Sequence, residues 1–301
     1  MSKPGVQVIA AAIPRDRYQV ASDLVALTKP RVLLMVLATT LVGYFVALSG
    51  PADYLRVAYL LFGTLLAAGG TLALNQYVER DIDARMERTK RRPLPDGRLQ
   101  PLEALLFASA LTSVGVAYLA VRVGVAAAVL TLTIAILYIC AYTPLKLRTA
   151  SCMLVGAVPG ALPPVTGWVA ARGDLSLGAA VLFAILFLWQ LPHTLAIARL
   201  YAEDYARAGV RVLPVVDPHG AMSERQIVSS TLGLVAVSLL PTVIGISGIA
   251  YFVTACVLGL GLLGAGLAHA NTPSTASARR VLMASLLYLP LLLAVLAFDK
   301  T

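Results

Sequence analysis

Charge is what this chain most lacks for its length. Asp, Glu, Lys and Arg make up 13% of its 301 residues, against roughly 25% in a soluble globule, so a water-facing surface could not be covered. Cysteine is scarce too. Cys140, Cys152 and Cys256 show no CxxC spacing, which excludes a disulfide framework or a zinc site and leaves them as packing residues. No run alternates apolar and polar residues as a membrane barrel strand would. The apolar stretch Val6–Ile13 ahead of Pro14 is too short for a signal peptide and lacks its cleavage pattern. What remains is hydrophobic residues at 59%, above the usual 45–50% or so, which rules out disorder. The chain reads as an integral membrane protein.

A helix needs about 20 mostly apolar residues to cross the hydrocarbon layer. Uncharged runs cover 32–52, 57–78, 104–121, 123–145, 149–171, 175–198, 226–278 and 281–298. The first ends in Ser-Gly-Pro. The seventh is too long for one span and breaks best at Gly245-Ile-Ser-Gly248, where glycine permits a tight turn. Backbone groups in lipid must be satisfied within their own segment, so these runs are helices. The expectation is an all-α integral membrane protein. Its nine transmembrane helices lie near 32–48, 57–79, 104–121, 123–142, 152–170, 176–198, 227–245, 249–269 and 281–297. They form one membrane domain, 28–298, around a central cavity, after a tail at 1–27.

The net charge of +9 could suggest nucleic acid. Sorted by loop, however, 20 of the 24 Lys and Arg residues fall on one side of the membrane, together with 12 of the 15 acids. The positive-inside rule then puts the N-terminus in the cytoplasm and the C-terminus outside, and accounts for the basic excess without nucleic acid.

The scarce polar residues are clustered. At the basic end of the second span stands Asn75-Gln-Tyr-Val-Glu79-Arg-Asp81-Ile-Asp83. If the helix continues, Asn75, Glu79 and Asp83 recur at i, i+4 and i+8 and share a face, with Asp81 pointing away. Carboxylates so stacked repel unless a cation sits between them. Arg88, Lys90, Arg91 and Arg92 follow, so the pattern suits a magnesium–diphosphate complex: Mg²⁺ takes one or two carboxylates and completes its shell with phosphate oxygens and water. A solvated basic loop is the plainer reading of the arginines. It explains the Asn75/Glu79/Asp83 face poorly.

Four spans later, on the same side, come Arg199, Glu203, Asp204 and Arg207, preceded by Trp189-Gln190-Leu-Pro192-His193 inside a span. Pro192 should kink that helix. An ionisable His193 there is a functional candidate, or a histidine bonded between helices. His219 and His269 read as loop and interface residues. Lys146 and Arg148 in the loop after the fourth span offer two further cations. In the fifth span, small residues and Pro163-Pro164 demand a break in the helix and could receive a flat ligand.

With these residues in view, the chain resembles the intramembrane aromatic prenyltransferases, the UbiA superfamily, and within it the protoheme IX farnesyltransferase (heme O synthase) branch, over about 27–298. The resemblance is carried by Thr28-Lys-Pro-Arg31, by Asn75-x3-Glu79-x3-Asp83-x2-Met86-x-Arg88-Thr89-x2-Arg92-Pro93-Leu94 and by Tyr142-Thr143-x-Leu145-Lys146-x-Arg148-Thr149. It continues in Gly160-Ala-x-Pro163-Pro164-x-x-Gly167-Trp168, Trp189-Gln190-x-Pro192-His193 and Asp204-Tyr205-x-x-Ala208-Gly209. The Met-x-Arg-Thr and Trp-Gln-x-Pro-His pieces are the ones specific to the heme branch. Glu79 departs from the usual Asp but keeps the charge. Cys152 and Ala157 stand where the family often has Asn and Gly.

The resemblance implies transfer of farnesyl from farnesyl diphosphate to a vinyl group of heme b, with water supplying a hydroxyl, to give heme o. It implies Asn75, Glu79, Asp83, Glu203 and Asp204 as Mg²⁺ ligands, with Asn75, Glu79, Asp83 and Asp204 catalytic. Arg88, Lys90, Arg92, Lys146 and Arg148 would bind diphosphate, and Trp189, Gln190 and His193 would meet heme b, a substrate and not a resident cofactor. It also implies the bacterial inner membrane, with heme A synthase or a terminal-oxidase assembly factor as candidate partners. Rival readings are a prenyltransferase acting on a quinone precursor or chlorophyllide and, from another class, a secondary transporter. Against the transporter, the acids crowd at one membrane face and not at the midplane.

Overall fold

The computed structural model describes residues 16–301, so Val6–Ile13 lies outside the described residues. Nine helices in it are long and apolar enough to span a bilayer. They are α2 (Pro30–Ala47), α3 (Tyr54–Asp83), α4 (Pro101–Arg122), α5 (Val125–Leu145), α6 (Cys152–Arg172), α7 (Leu177–Leu200), α10 (Ala221–Val243), α11 (Ile249–Asn271) and α12 (Thr275–Phe298). Three short helices flank the basic ends: α1 (Arg17–Leu27), α8 (Ala202–Arg207) and α9 (Leu213–Val216).

The expected spans are all present. The joint between the seventh and eighth falls at Gly245, whose φ of 73° needs a residue without a Cβ. α6 breaks at Leu162, where Pro163 and Pro164 supply no N–H to the ladder. α7, by contrast, runs uninterrupted through Pro192. Cys152 is buried, whereas Cys140 is exposed and so does not pack the core.

α1 was not foreseen in the tail. Its sequence carries little apolar periodicity, and the Asp16 side chain caps its start by accepting from the Tyr18 N–H at 3.0 Å. Buried Asp23 accepts from Arg98 Nε at 3.2 Å, which pins α1 to the α3–α4 loop. Leu27 packs with Ala73, Leu94 and Leu99.

α3 is the longest element at 30 residues, about 45 Å. It exceeds the roughly 30 Å hydrocarbon layer, so its last turns rise out of the apolar zone carrying their polar face with them. It packs chiefly against α4, while α2 packs against the second half of α6. α10 and α12 pack against α7, and α11 packs on those two, around a core that includes Tyr251, Tyr288 and Leu234. Between α2, α3, α5, α6 and α7 lies a chamber of about 440 Å³.

Candidate active site

α3 brings Asn75, Glu79 and Asp83 onto one buried face, as the spacing requires, and leaves Asp81 exposed beside Arg80. Asn75 is fully buried. Its Oδ1 accepts from Lys29 Nζ at 2.8 Å and its Nδ2 donates to Thr143 Oγ1 at 3.2 Å. Lys146 Nζ donates to Glu79 Oε1 at 2.5 Å and lies 4.2 Å over the Tyr142 ring. Arg92 Nη1 donates to Asp83 Oδ2 at 2.6 Å. The Thr89 hydroxyl, donating to the Asp83 carbonyl at 2.8 Å, holds the turn that returns Arg92 to α3.

The second cluster closes over the first. The Arg88 backbone N–H points to Asp204 Oδ2 at 3.3 Å, and Arg207 also pairs with Asp204. The Arg88 guanidinium lies 5.2 Å over Tyr201 and donates to the Tyr205 hydroxyl at 3.4 Å. The Arg211 N–H reaches the Lys146 carbonyl at 2.7 Å. Residues 75–98, 142–148 and 201–211 thus form one mouth, as their shared membrane side suggested.

Each carboxylate is matched by a cation: Glu79 with Lys146, Asp83 with Arg92, Asp204 with Arg207. Among the described residues no three His, Cys, Asp or Glu side chains converge into a metal cage. Carboxylates on two facing elements, each with oxygens turned toward cationic groups, fit a cation shared with a phosphate better than one held by protein alone.

Other expected residues fall elsewhere. Lys90 pairs with Glu87 at 2.5 Å on the outside, Arg148 is exposed, and Glu203 is exposed while its neighbour Asp204 is buried. Adjacent residues of a helix point about 100° apart, so only one of Glu203 and Asp204 can face the mouth. Gln190 lines the chamber, whereas Trp189 and His193 turn to α12. There Trp189 Nε1 donates to the Ser285 carbonyl at 2.8 Å, and His193 Nδ1 lies 2.9 Å from Ser285 Oγ. Because Ser285 donates onward to the Leu282 carbonyl at 2.7 Å, His193 is the donor in that contact. His269, bonded to Ser277 at 2.7 Å, is the interface residue expected.

Lys29 was not singled out from the sequence. It sits in a left-handed conformation, φ 51°, the one positive φ at a non-glycine among the described residues. Burial, with Arg92 nearby, lowers its pKa to about 7. The one available signal is a lysine immediately before the proline that opens a span. Tyr138 and Tyr142 line the chamber from a π-helical turn, Leu137–Tyr142, whose wider winding frees Thr143 Oγ1 to donate to the Tyr138 carbonyl at 2.8 Å.

Comparison with known proteins supports the same fold and shows the family. The UbiA prenyltransferase family model matches residues 36–296. A protein of Solibacter usitatus named protoheme IX farnesyltransferase is 45% identical over 287 residues, covering 92% of this chain and 98% of that protein. Digeranylgeranylglyceryl phosphate synthase superposes with a TM-score of 0.79 at 17% identity, over 94% of this chain and 98% of its own. A UbiA homologue from Archaeoglobus fulgidus, bound to GPP and Mg²⁺, gives a TM-score of 0.64 at 16% identity, over 91% and 99%. With a matching family model across most of its length, nine helices among the described residues long and apolar enough to span a bilayer, and a closely similar relative along nearly its whole length, this chain belongs to the UbiA prenyltransferase family.

Proposed function

We propose that the protein transfers the farnesyl group of farnesyl diphosphate to a vinyl group of heme b, with addition of water, releasing diphosphate and heme o. The observation that carries this reading is an apolar chamber opening directly under a layer of paired carboxylates and cations, in a chain 45% identical to a protoheme IX farnesyltransferase. By the positive-inside rule the mouth faces the cytoplasm of a bacterial inner membrane, with the C-terminus outside.

Asn75, Glu79, Asp83 and Asp204 would hold Mg²⁺ against the diphosphate, and the metal supplies Lewis-acid stabilisation of the departing oxygens. Arriving anionic oxygens compete for Arg92, Lys146, Arg88 and Lys29, which turn from their carboxylates, Tyr205 and Asn75 toward the diphosphate. Their fixed positive charge stabilises the negative charge that builds as the allylic C–O bond breaks. An anion beside Lys29 holds that ammonium protonated. The Tyr138 and Tyr142 rings wall the chamber beneath, keeping water from the allylic cation until the vinyl carbon attacks. Water then bonds to the resulting cationic carbon and loses a proton, which leaves with diphosphate. Gln190, the residue of its motif on the chamber wall, would meet the porphyrin edge.

The test is a mass spectrum of hemes extracted from membranes expressing the protein. A heme heavier by one hydrated farnesyl unit is expected. Unchanged hemes, with consumption of 4-hydroxybenzoate by the same membranes, would refute the acceptor.

A further inference from the structure

The chamber ends on a layer of threonines contributed by four helices: Thr40 on α2, Thr64 on α3, Thr131 on α5 and Thr166 on α6. Its other end is fixed by the hydrogen bonds that join Lys29, Asn75 and Thr143 in the mouth. Thr40 lies 11 residues from Lys29, Thr64 11 from Asn75 and Thr131 12 from Thr143. At 1.5 Å per residue each stands about 16–18 Å below the mouth layer. Three separate helices therefore agree on one depth.

One turn deeper, four residues beyond each threonine, stand Tyr44, Leu60, Ala127 and Ala170. All four belong to a single packed apolar cluster. Tyr44 is 2% exposed and Leu60 0%, so this layer is solid. α2 and α6 also meet at this depth: a Cβ on Gly167 would stand 1.9 Å from the Thr40 carbonyl oxygen, and one on Gly43 2.0 Å from that of Pro164. No chain can pass between them. The hydroxyls of Thr40, Thr131 and Thr166 bond back to the carbonyls of Val36, Ala127 and Leu162. That of Thr64 is buried without a protein partner, so the floor ends on one polar atom before the packed layer begins.

An isoprene unit contributes four chain carbons and advances about 5 Å at ordinary single-bond lengths, close to the 5.4 Å of one helical turn. An extended farnesyl chain spans about 14 Å on the same measure, so with its diphosphate seated just below the mouth layer it ends at this floor. Geranyl stops about one turn short. Geranylgeranyl needs a further turn of space, which Tyr44 and Leu60 fill. We propose that Thr40, Thr64, Thr131 and Thr166, backed by the Tyr44–Leu60 layer, are the gauge that sets the prenyl donor at three isoprene units. This rests on the prenyl-transfer reading above.

The test uses the purified full-length protein with Mg²⁺ and no heme. Geranyl, farnesyl and geranylgeranyl diphosphates compete for displacement of labelled farnesyl diphosphate, and turnover with heme b is measured in parallel. Deepening the floor with Leu60→Ala/Thr64→Ala should raise affinity for geranylgeranyl relative to farnesyl by about tenfold or more, since another isoprene unit gains apolar burial. Raising the floor with Thr64→Phe should shift the farnesyl-to-geranyl ratio the other way by a similar factor. If the deepened variant does not fold, Thr64→Phe and Thr40→Leu decide. Length ratios that stay within about twofold of wild type in the folded variants overturn the gauge, even if heme product forms. Ratios that move as expected, in a protein that leaves heme b unconsumed, uphold the gauge and remove the acceptor reading instead.

Discussion

Replacing Lys146 with methionine should make the stability of this protein depend on magnesium. In the structure Lys146 neutralises Glu79 at 2.5 Å, with the two side chains 16% and 9% exposed. Glu79 stands one helical turn from both Asn75 and Asp83, so without Lys146 a nearly buried carboxylate faces another with no metal between them. Removing one partner of a fully buried pair costs about 3–5 kcal/mol. The mouth retains some access to water, which brings the expected cost to about 2–3 kcal/mol. At about 2–4 °C per kcal/mol for a chain of this size, the apparent Tm in EDTA should fall by about 5–10 °C. The proposed magnesium site uses the same carboxylates, so millimolar Mg²⁺ should restore most of that loss in Lys146→Met while raising wild type less. The assay is thermal unfolding in detergent across a magnesium series, with Lys146→Arg as a charge-preserving control. Glu79→Gln/Lys146→Met closes the cycle, because removing both charges should recover the loss in EDTA and abolish the extra magnesium gain. Equal Tm values for Lys146→Met and wild type in EDTA, or equal magnesium gains, would refute the exchange of Lys146 for metal at Glu79.

Glu79→Gln and Asp83→Asn should each lower farnesyl transfer by about 10²–10³-fold, the scale of losing one charge-stabilising group, and raise the Mg²⁺ needed for half-maximal rate; full activity at normal magnesium would remove the metal role. EDTA should abolish turnover in the wild-type protein, and Mg²⁺ should restore it. Gly167→Ala should cost about 1–3 kcal/mol or more through overpacking against α2, read as a lower Tm and reduced folded yield in detergent. His193→Ala should leave farnesyl diphosphate affinity unchanged within about twofold, because the ring faces Ser285 and not the chamber; a large loss of affinity would contradict that placement.

Much of the fold was legible because lipid imposes one rule on every span. Eight uncharged runs had to be helices, the longest of them two joined at glycines, and charged joints set the other boundaries to within about six residues. α1 escaped because it lies outside the membrane, where no such rule applies and its sequence shows no strong periodicity. The mouth was legible in part. Asn75, Glu79 and Asp83 are spaced to share a face, and helical geometry carried that from the sequence into the structure. Lys29 was not, because its partner is 46 residues away on another helix.

A nine-span membrane protein with its charge gathered at one face follows from composition and local periodicity under the demands of the bilayer. Which way each side chain looks depends on how the helices pack. Gln190 and Thr194, four apart, line the chamber, whereas Trp189 and His193, also four apart and one position earlier, pack on α12. A single residue of register, about 100° of rotation, separates the two faces. Nothing in a string of letters states which face meets the cavity until the other helices are in place. The depth of the chamber has the same origin: four threonines scattered from position 40 to 166 become one floor only when α2, α3, α5 and α6 are packed side by side.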